Sequence, residues 1–225
     1  MKKLMLVICS LGMGSLSWAQ SAPPLGSAES FAVLGASTVT NAGPTVITGD
    51  FGVSPGTAVT GLPPGKVTGG TVHAGDATAT GAHAAAHTAY ANLVAQPCGT
   101  NLTGKTLGTS PGAVTLPPGV YCFNSSAQLT GALTLNGSGV YIFKMGTTLT
   151  TASKSSVVLA KGATAGDVFW QVGSSATLGT NTVFVGSILA NISDTVTTGA
   201  SVTGRVFALT GAVTLSDNQI RAASK

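Results

Sequence analysis

The chain has 225 residues, 44% of them hydrophobic, and carries 10 Lys and Arg against 6 Asp and Glu. That apolar share excludes a disordered chain, and the scattered, nearly balanced charge excludes a nucleic-acid-binding protein. With only 7% charged residues and 31 glycines, the surface must be covered largely by Gly, Ala, Ser and Thr.

Residues 1–19 read as a signal peptide. Lys2 and Lys3 form a basic start, Leu4 to Leu16 is largely apolar, and Ser17-Trp18-Ala19 is a small-x-small cleavage site. The apolar run is too short to span a membrane, and no later segment is a candidate. The expectation is therefore one exported, soluble domain over residues 20–225, secreted or periplasmic after cleavage near Ala19. A monomer is expected, without any residue pattern that fixes the oligomeric state. Loss of Lys2 and Lys3 takes the formal charge from +4 to +2.

Residues 27–72 read as short strands: Phe31 to Leu34, Ser37 to Thr40, Thr45 to Thr48, Ala58 to Thr60 and Lys66 to Thr68. Gly-Pro, Ser-Pro-Gly and Pro-Pro-Gly turns divide them. From His73 to Gln96 there is no Pro, Ala dominates, and the pattern predicts a helix inserted over 73–96. His83, His87, Tyr90 and Val94 share a face at i, i+4, i+7 and i+11 spacing. Pro97 and Gly99 end the helix. An even pair of cysteines, Cys98 and Cys122, remains after the first 19 residues, and in an exported chain it reads as a disulfide.

After Thr103 the strands return. Val120 to Phe123, Val140 to Phe143, Val168 to Trp170 and Val206 to Leu209 are apolar on both faces. A solenoid wall buries one face in its own core, and the other stays apolar only under a cover, for which the helix is available. Between these strands lies a Thr-rich series: Thr148 to Thr151, Thr177 to Thr180, Thr195 to Thr198 and Val213 to Ser216. The starts of the first three are 29 and 18 residues apart, about one solenoid turn with a loop in the longer gap. Leu or Val can point inward while flanking residues point out. The pattern predicts a β-solenoid with one wall under a helix and another paved with Thr. A β-sandwich is the alternative, but its outer faces should carry more charge.

The chemistry-bearing residues are sparse. The acidic inventory is Glu29, Asp50, Asp76, Asp167, Asp194 and Asp217, with no two close in sequence. Turn capping is their default role, so no paired-carboxylate enzyme is predicted. His83 and His87 have the spacing of a metal pair but lack a neighbouring acid, and packing against the sheet explains them better. No metal and no cofactor is expected. Exposed sheet normally carries charge against aggregation. Four Thr strands with hardly a Lys or Glu among them instead form a flat lattice, with ranks roughly 4.7–4.9 Å apart across strands. Few ligands are periodic on that scale, and crystalline water is one.

Several longer segments resemble a known family: Phe31 to Leu34 leading to Ser37-Thr38-Val39-Thr40-Asn41, Gly43 to Asp50, Gly52 to Gly56, His73 to Asp76, Pro118 to Tyr121, Phe169 to Gly173, and Gly204-Arg205-Val206. From about Leu25 to Ile220 the chain resembles the microbial ice-binding (antifreeze) proteins. The resemblance implies a mainly β fold, a right-handed and discontinuous β-helix of triangular section with one long α-helix along one wall. It implies adsorption to ice through the flat second wall, with thermal hysteresis and inhibited recrystallisation. On this chain the matching residues are Thr148, Thr150, Thr177, Thr180, Asn181, Thr195, Thr197, Thr214 and Ser216. Ser54, Thr57 and Thr60 extend the set toward the N-terminus, and Lys154 and Lys161 are expected to face elsewhere. The partner implied is the ice surface, with no nucleic acid and no membrane. A surface adhesin or matrix-binding solenoid is the alternative.

Overall fold

The computed structural model describes residues 20–224, so the signal-peptide reading of residues 1–19 lies outside the described residues. Parallel strands form three sheets of nine, seven and eight strands, the walls of a solenoid. Each complete coil contributes one strand to each wall, and the incomplete coils at the two ends of the stack account for the unequal counts. Phe31–Gly35, Thr38–Ala42 and Val46–Thr48 make the first coil, and Asp50–Val53, Ala58–Thr60 and Lys66–Thr68 the second. Val72–Ala74 then adds the edge strand of the nine-stranded sheet, and the chain leaves the solenoid as the helix Ala77–Ala95.

The helix makes the winding discontinuous. Its 19 residues span roughly 28 Å at 1.5 Å per residue. Nine strands at about 4.8 Å spacing cover roughly 38 Å, so the helix carries the chain most of the way along the wall. The next strand, Thr100–Asn101, is the opposite edge of the same sheet. From there the chain winds back, and its last coil (Val206–Ala208, Val213–Ser216, Gln219–Arg221) stacks on the first coil in all three walls.

Alternation along each strand feeds a continuous interior. Tyr121, Phe143, Trp170 and Phe184 stack within it, Phe143 and Trp170 at 4.0 Å between centroids and 11° between planes. The stack follows the register Tyr121 to Phe143 to Trp170 in adjoining strands. Pro117 and Gly137 supply carbonyls for the Tyr121 and Tyr141 hydroxyls, and burial pushes the Tyr121 hydroxyl up to about 12. The outer face of the nine-stranded wall is also buried. Phe31, Leu34, Val120, Ile142, Phe169, Leu189 and Phe207 pack there against the helix, which is why these strands are apolar on both sides.

The helix differs from its expected form in two ways. It begins at Ala77, with His73 in a strand, because Gly75 turns the chain at φ +68° and the Asp76 carboxylate caps the Ala79 amide at 2.8 Å. The buried stripe is Ala79, Ala82, Ala86, Ala89 and Leu93, and Val94 is 48% exposed. Alanines let the helix backbone approach the bulky side chains of the wall. His83, His87 and Tyr90 flank the stripe and hydrogen-bond to the wall instead. Cys98 and Cys122 form a disulfide that ties the chain just past the helix to that wall.

Candidate functional site

The seven-stranded wall carries the Thr series. Its inward positions are apolar in most strands: Leu149, Ala176 and Leu178, Val196, Val213 and Leu215, and Val39 are buried. The residue between each inward pair must therefore face out. Register aligns these outward residues into one rank: Gln128, Thr150, Thr177, Thr195, Thr214, Thr40 and Thr60. Six consecutive members are threonines, a run of roughly 24 Å at the usual strand spacing. All seven are exposed or half-buried. The Thr40 hydroxyl donates to the Thr214 hydroxyl at 3.5 Å.

Small residues flank this rank. Two positions before it stand Ser126, Thr148, Ser175, Ser193, Ala212, Thr38 and Ala58. Two positions after it stand Thr130, Ala152, Gly179, Thr197, Ser216, Ala42 and Leu62. No charged residue falls in any of the three rows. The wall is therefore a single line of Thr between two lines of mostly smaller side chains.

The remaining predicted positions separate by location. Thr148 is half-buried in the row ahead of the rank. Thr197 and Ser216 are half-buried in the row after it, and both hydroxyls are engaged. Thr197 donates to the Leu178 carbonyl, and Ser216 pairs with the Thr198 hydroxyl at 3.0 Å. Thr180 and Asn181 are exposed on the corner beyond the wall, where Asn181 has φ +57°. The corner turns stack through main-chain bonds, Lys154 to Thr180 and Asn181 to Thr198. Lys154 lies on this corner at φ 62°, and Lys161 follows the third-wall strand Ser156–Ala160 at φ 48°, both outside the Thr rows.

Among the N-terminal candidates, Thr60 belongs to the rank and Thr57 is exposed just ahead of its strand. Ser54 does not reach the wall. It is 3% exposed at the end of Asp50–Val53, and its hydroxyl bonds that of Thr80 on the helix at 3.1 Å. A Ser ahead of a Pro reads as a turn, but the helix start covers this one. Thr40 and Gln128 are rank members that sequence reasoning missed. Thr38-Val39-Thr40 carried the alternating signal, but its neighbour across the sheet is 174 residues away.

Beneath the rank, Asp194 takes an inward position beside Ala176 and Val213. It is 1% exposed, neither carboxyl oxygen has a partner among the described residues, and burial pushes its pKa well above the ordinary carboxylate value. Burial thus favours the uncharged form of this carboxyl beneath the wall. His83 and His87 both direct Nε2 at the Leu209 carbonyl, at 2.9 and 3.1 Å. Burial first and then the His87 charge hold the His83 pKa below its ordinary value. Among the described residues no group of three His, Cys, Asp or Glu could hold a metal. What the wall offers is an uncharged, stiff array of paired methyl and hydroxyl groups, suited to ordering water.

Residues 33–221 match the family model described as ice-binding-like. An ice-binding protein of Nostoc sp. (strain HG1) is 50% identical over 207 residues, covering 90% of this chain and 75% of that relative. The solved structure of an ice-binding protein from the Antarctic ascomycete Antarctomyces psychrotrophicus superposes with a TM-score of 0.84 at 40% identity, over 91% of this chain and all of that one. One from an Arctic yeast, solved to explain its antifreeze activity, gives 0.81 at 29% identity, over 91% of this chain and 95% of that one.

Proposed function

The chain belongs to the ice-binding-like family, and from that premise we propose that it adsorbs to ice through the seven-stranded wall. The family is one of ice-binding proteins, not enzymes, and the matrix-binding alternative has no support among the relatives. The observation that carries the surface assignment is the rank of six Thr with no charge in or beside it.

Threonine suits the task because its branched side chain is stiff at χ1, so little freedom is lost on binding. Its methyl disfavours bulk-like water, and its hydroxyl anchors a water molecule. Waters held in file between such groups merge with the ordered layer on ice, since bridging waters cost little to immobilise. Adsorbed protein pins the advancing crystal surface, giving thermal hysteresis and slowing recrystallisation. Thr150, Thr177, Thr195, Thr214, Thr40 and Thr60 make the contact line. Thr148, Thr197 and Ser216 border it, with Thr180, Asn181 and Thr57 at its margins. The protein acts as an exported monomer. The basic and apolar segment before Gln20 and the Cys98–Cys122 disulfide support export. N-terminal sequencing of the secreted form and its size in solution test both points.

The deciding experiment grows a single ice crystal slowly from fluorescently labelled protein. Wild type is expected inside the crystal. Thr177→Tyr, a bulky change in mid-rank, is expected to stay in the liquid with an unchanged circular dichroism spectrum. Exclusion of wild type would remove the ice reading, and incorporation of both would place the surface elsewhere.

A further inference from the structure

The Thr rank is continuous in space but built from two separate parts of the chain. Between Gln128 and Thr214, and again between Thr40 and Thr60, neighbouring members lie 18 to 27 residues apart, one coil of chain. Between Thr214 and Thr40 the separation is 174 residues. At this seam no short connection joins the strands, so their register rests on main-chain and side-chain hydrogen bonds between the two coils, formed against the loop-closure entropy.

One residue makes a concentrated set of bonds there. Asn218 is 1% exposed and Thr45 is fully buried, at the corner where the Thr wall meets the third wall. The Asn218 amide donates to the Thr45 hydroxyl at 3.0 Å, and the Asn218 carbonyl accepts the Val46 amide at 2.8 Å. These bonds cross the seam. Its Nδ2 donates to the Thr197 carbonyl at 2.8 Å and the Ala200 carbonyl at 3.2 Å, in the preceding coil. Its Oδ1 accepts the Ser216 amide at 2.6 Å, within the strand that carries Thr214. Asn218 thus joins three successive coils, with main-chain N–H and C=O and side-chain oxygen and nitrogen all engaged. Corresponding corner positions elsewhere hold Ser155, Thr182 and Ala200, whose coils follow one another directly along the chain.

We propose that Thr45 and Asn218 are positioning residues for ice adsorption: they fix the register of the first coil on the last and so keep Thr40 and Thr60 in line with Thr214. This rests on the wall being the ice surface. Loosening the seam splits a rank of six Thr into two and four without touching an exposed side chain.

The test compares Thr45→Val, which keeps shape but removes the acceptor, with Thr45→Ser, which keeps it. Amides at the seam, Val46 and Asp217, are expected to exchange roughly tenfold faster in Thr45→Val, with strand Tyr141–Met145 unchanged. Hysteresis falls with them, and Thr45→Ser restores both. A double-mutant cycle separates positioning from general weakening. If Thr45 acts by placing Thr40, then Thr45→Val combined with Thr40→Tyr loses no more hysteresis than Thr40→Tyr alone. Additive losses overturn the proposal, as does unchanged seam exchange, or full hysteresis despite faster exchange. Loss of activity in Thr195→Tyr but not in Thr40→Tyr also overturns it while leaving the wall as the ice surface. Activity in both Tyr variants removes the surface assignment itself.

Discussion

The Arg205 guanidinium reaches the Glu29 carbonyl, 176 residues away in sequence, with Nε at 3.1 Å. A second nitrogen donates to the same carbonyl and, at 2.9 Å, to the Ala223 carbonyl. Arg205 is 3% exposed, so the segment entering the first coil and the tail leaving the last are clamped by one buried cation. Burial lowers its pKa, partly offset by the Glu29 charge. Its fixed fork matches carbonyls that a Lys cannot all reach. Arg205→Lys leaves at least one buried carbonyl unpaired, and Arg205→Met leaves them all. Expected losses are about 1–3 kcal/mol for Lys and more for Met, measured by urea unfolding.

Asp194 predicts a stability that falls as pH rises. Its folded pKa lies well above the ordinary value of 3.8 because the carboxyl is buried. Below that value both states hold the proton and ionisation costs nothing. As pH climbs above it, only the unfolded state releases the proton, so stability declines until the folded carboxyl ionises too. The strands packed around it, Ala176–Leu178, Val206–Ala208 and Val213–Ser216, carry no titratable side chain. Asp194→Val should therefore raise the melting temperature at pH 7 more than at pH 3.5. A difference independent of pH would sink the argument.

How far these features were legible follows from sequence distance. Thr150, Thr177, Thr195 and Thr214 could be read because each sits in an alternating strand and successive coils repeat the pattern. The helix was legible from its alanines, but its start was fixed by the Gly75 turn and the Asp76 cap. Thr40 was not legible as a rank member, because its place depends on a strand at the other end of the chain. Asp194 was misleading for a different reason. An Asp after Ser reads as a turn residue, yet strand alternation around Thr195 turns it into the core.

Two links hold the end of the helix, and each can be removed. Lys144 Nζ donates to the Val94 carbonyl at 2.8 Å and to the Gln96 carbonyl, supplying a cation where the helix has unpaired acceptors. Lys144→Met is expected to cost about 1 kcal/mol and to speed amide exchange in the last helical turn. Reduction of Cys98–Cys122, separated by 24 residues, should cost roughly 3 kcal/mol on the chain-entropy model. Comparison of urea midpoints with and without reductant checks the second. Neither change touches the Thr wall, so hysteresis measured well below the melting transition should persist.

Thr195 and Thr197 lie two residues apart in one Thr-rich segment, and their hydroxyls have different duties. Thr195 stands in the central rank with no side-chain hydrogen bond to the protein among the described residues, so its hydroxyl is available to water. The Thr197 hydroxyl is committed to the Leu178 carbonyl of the preceding coil. Thr→Val keeps the shape and removes only the hydroxyl. Thr195→Val should leave the unfolding midpoint within about 0.5 kcal/mol of wild type while lowering hysteresis. Thr197→Val should do the reverse, costing about 1 kcal/mol with hysteresis largely retained. Equal effects of the two substitutions on hysteresis would mean that ice contacts the whole width of the wall rather than its central line.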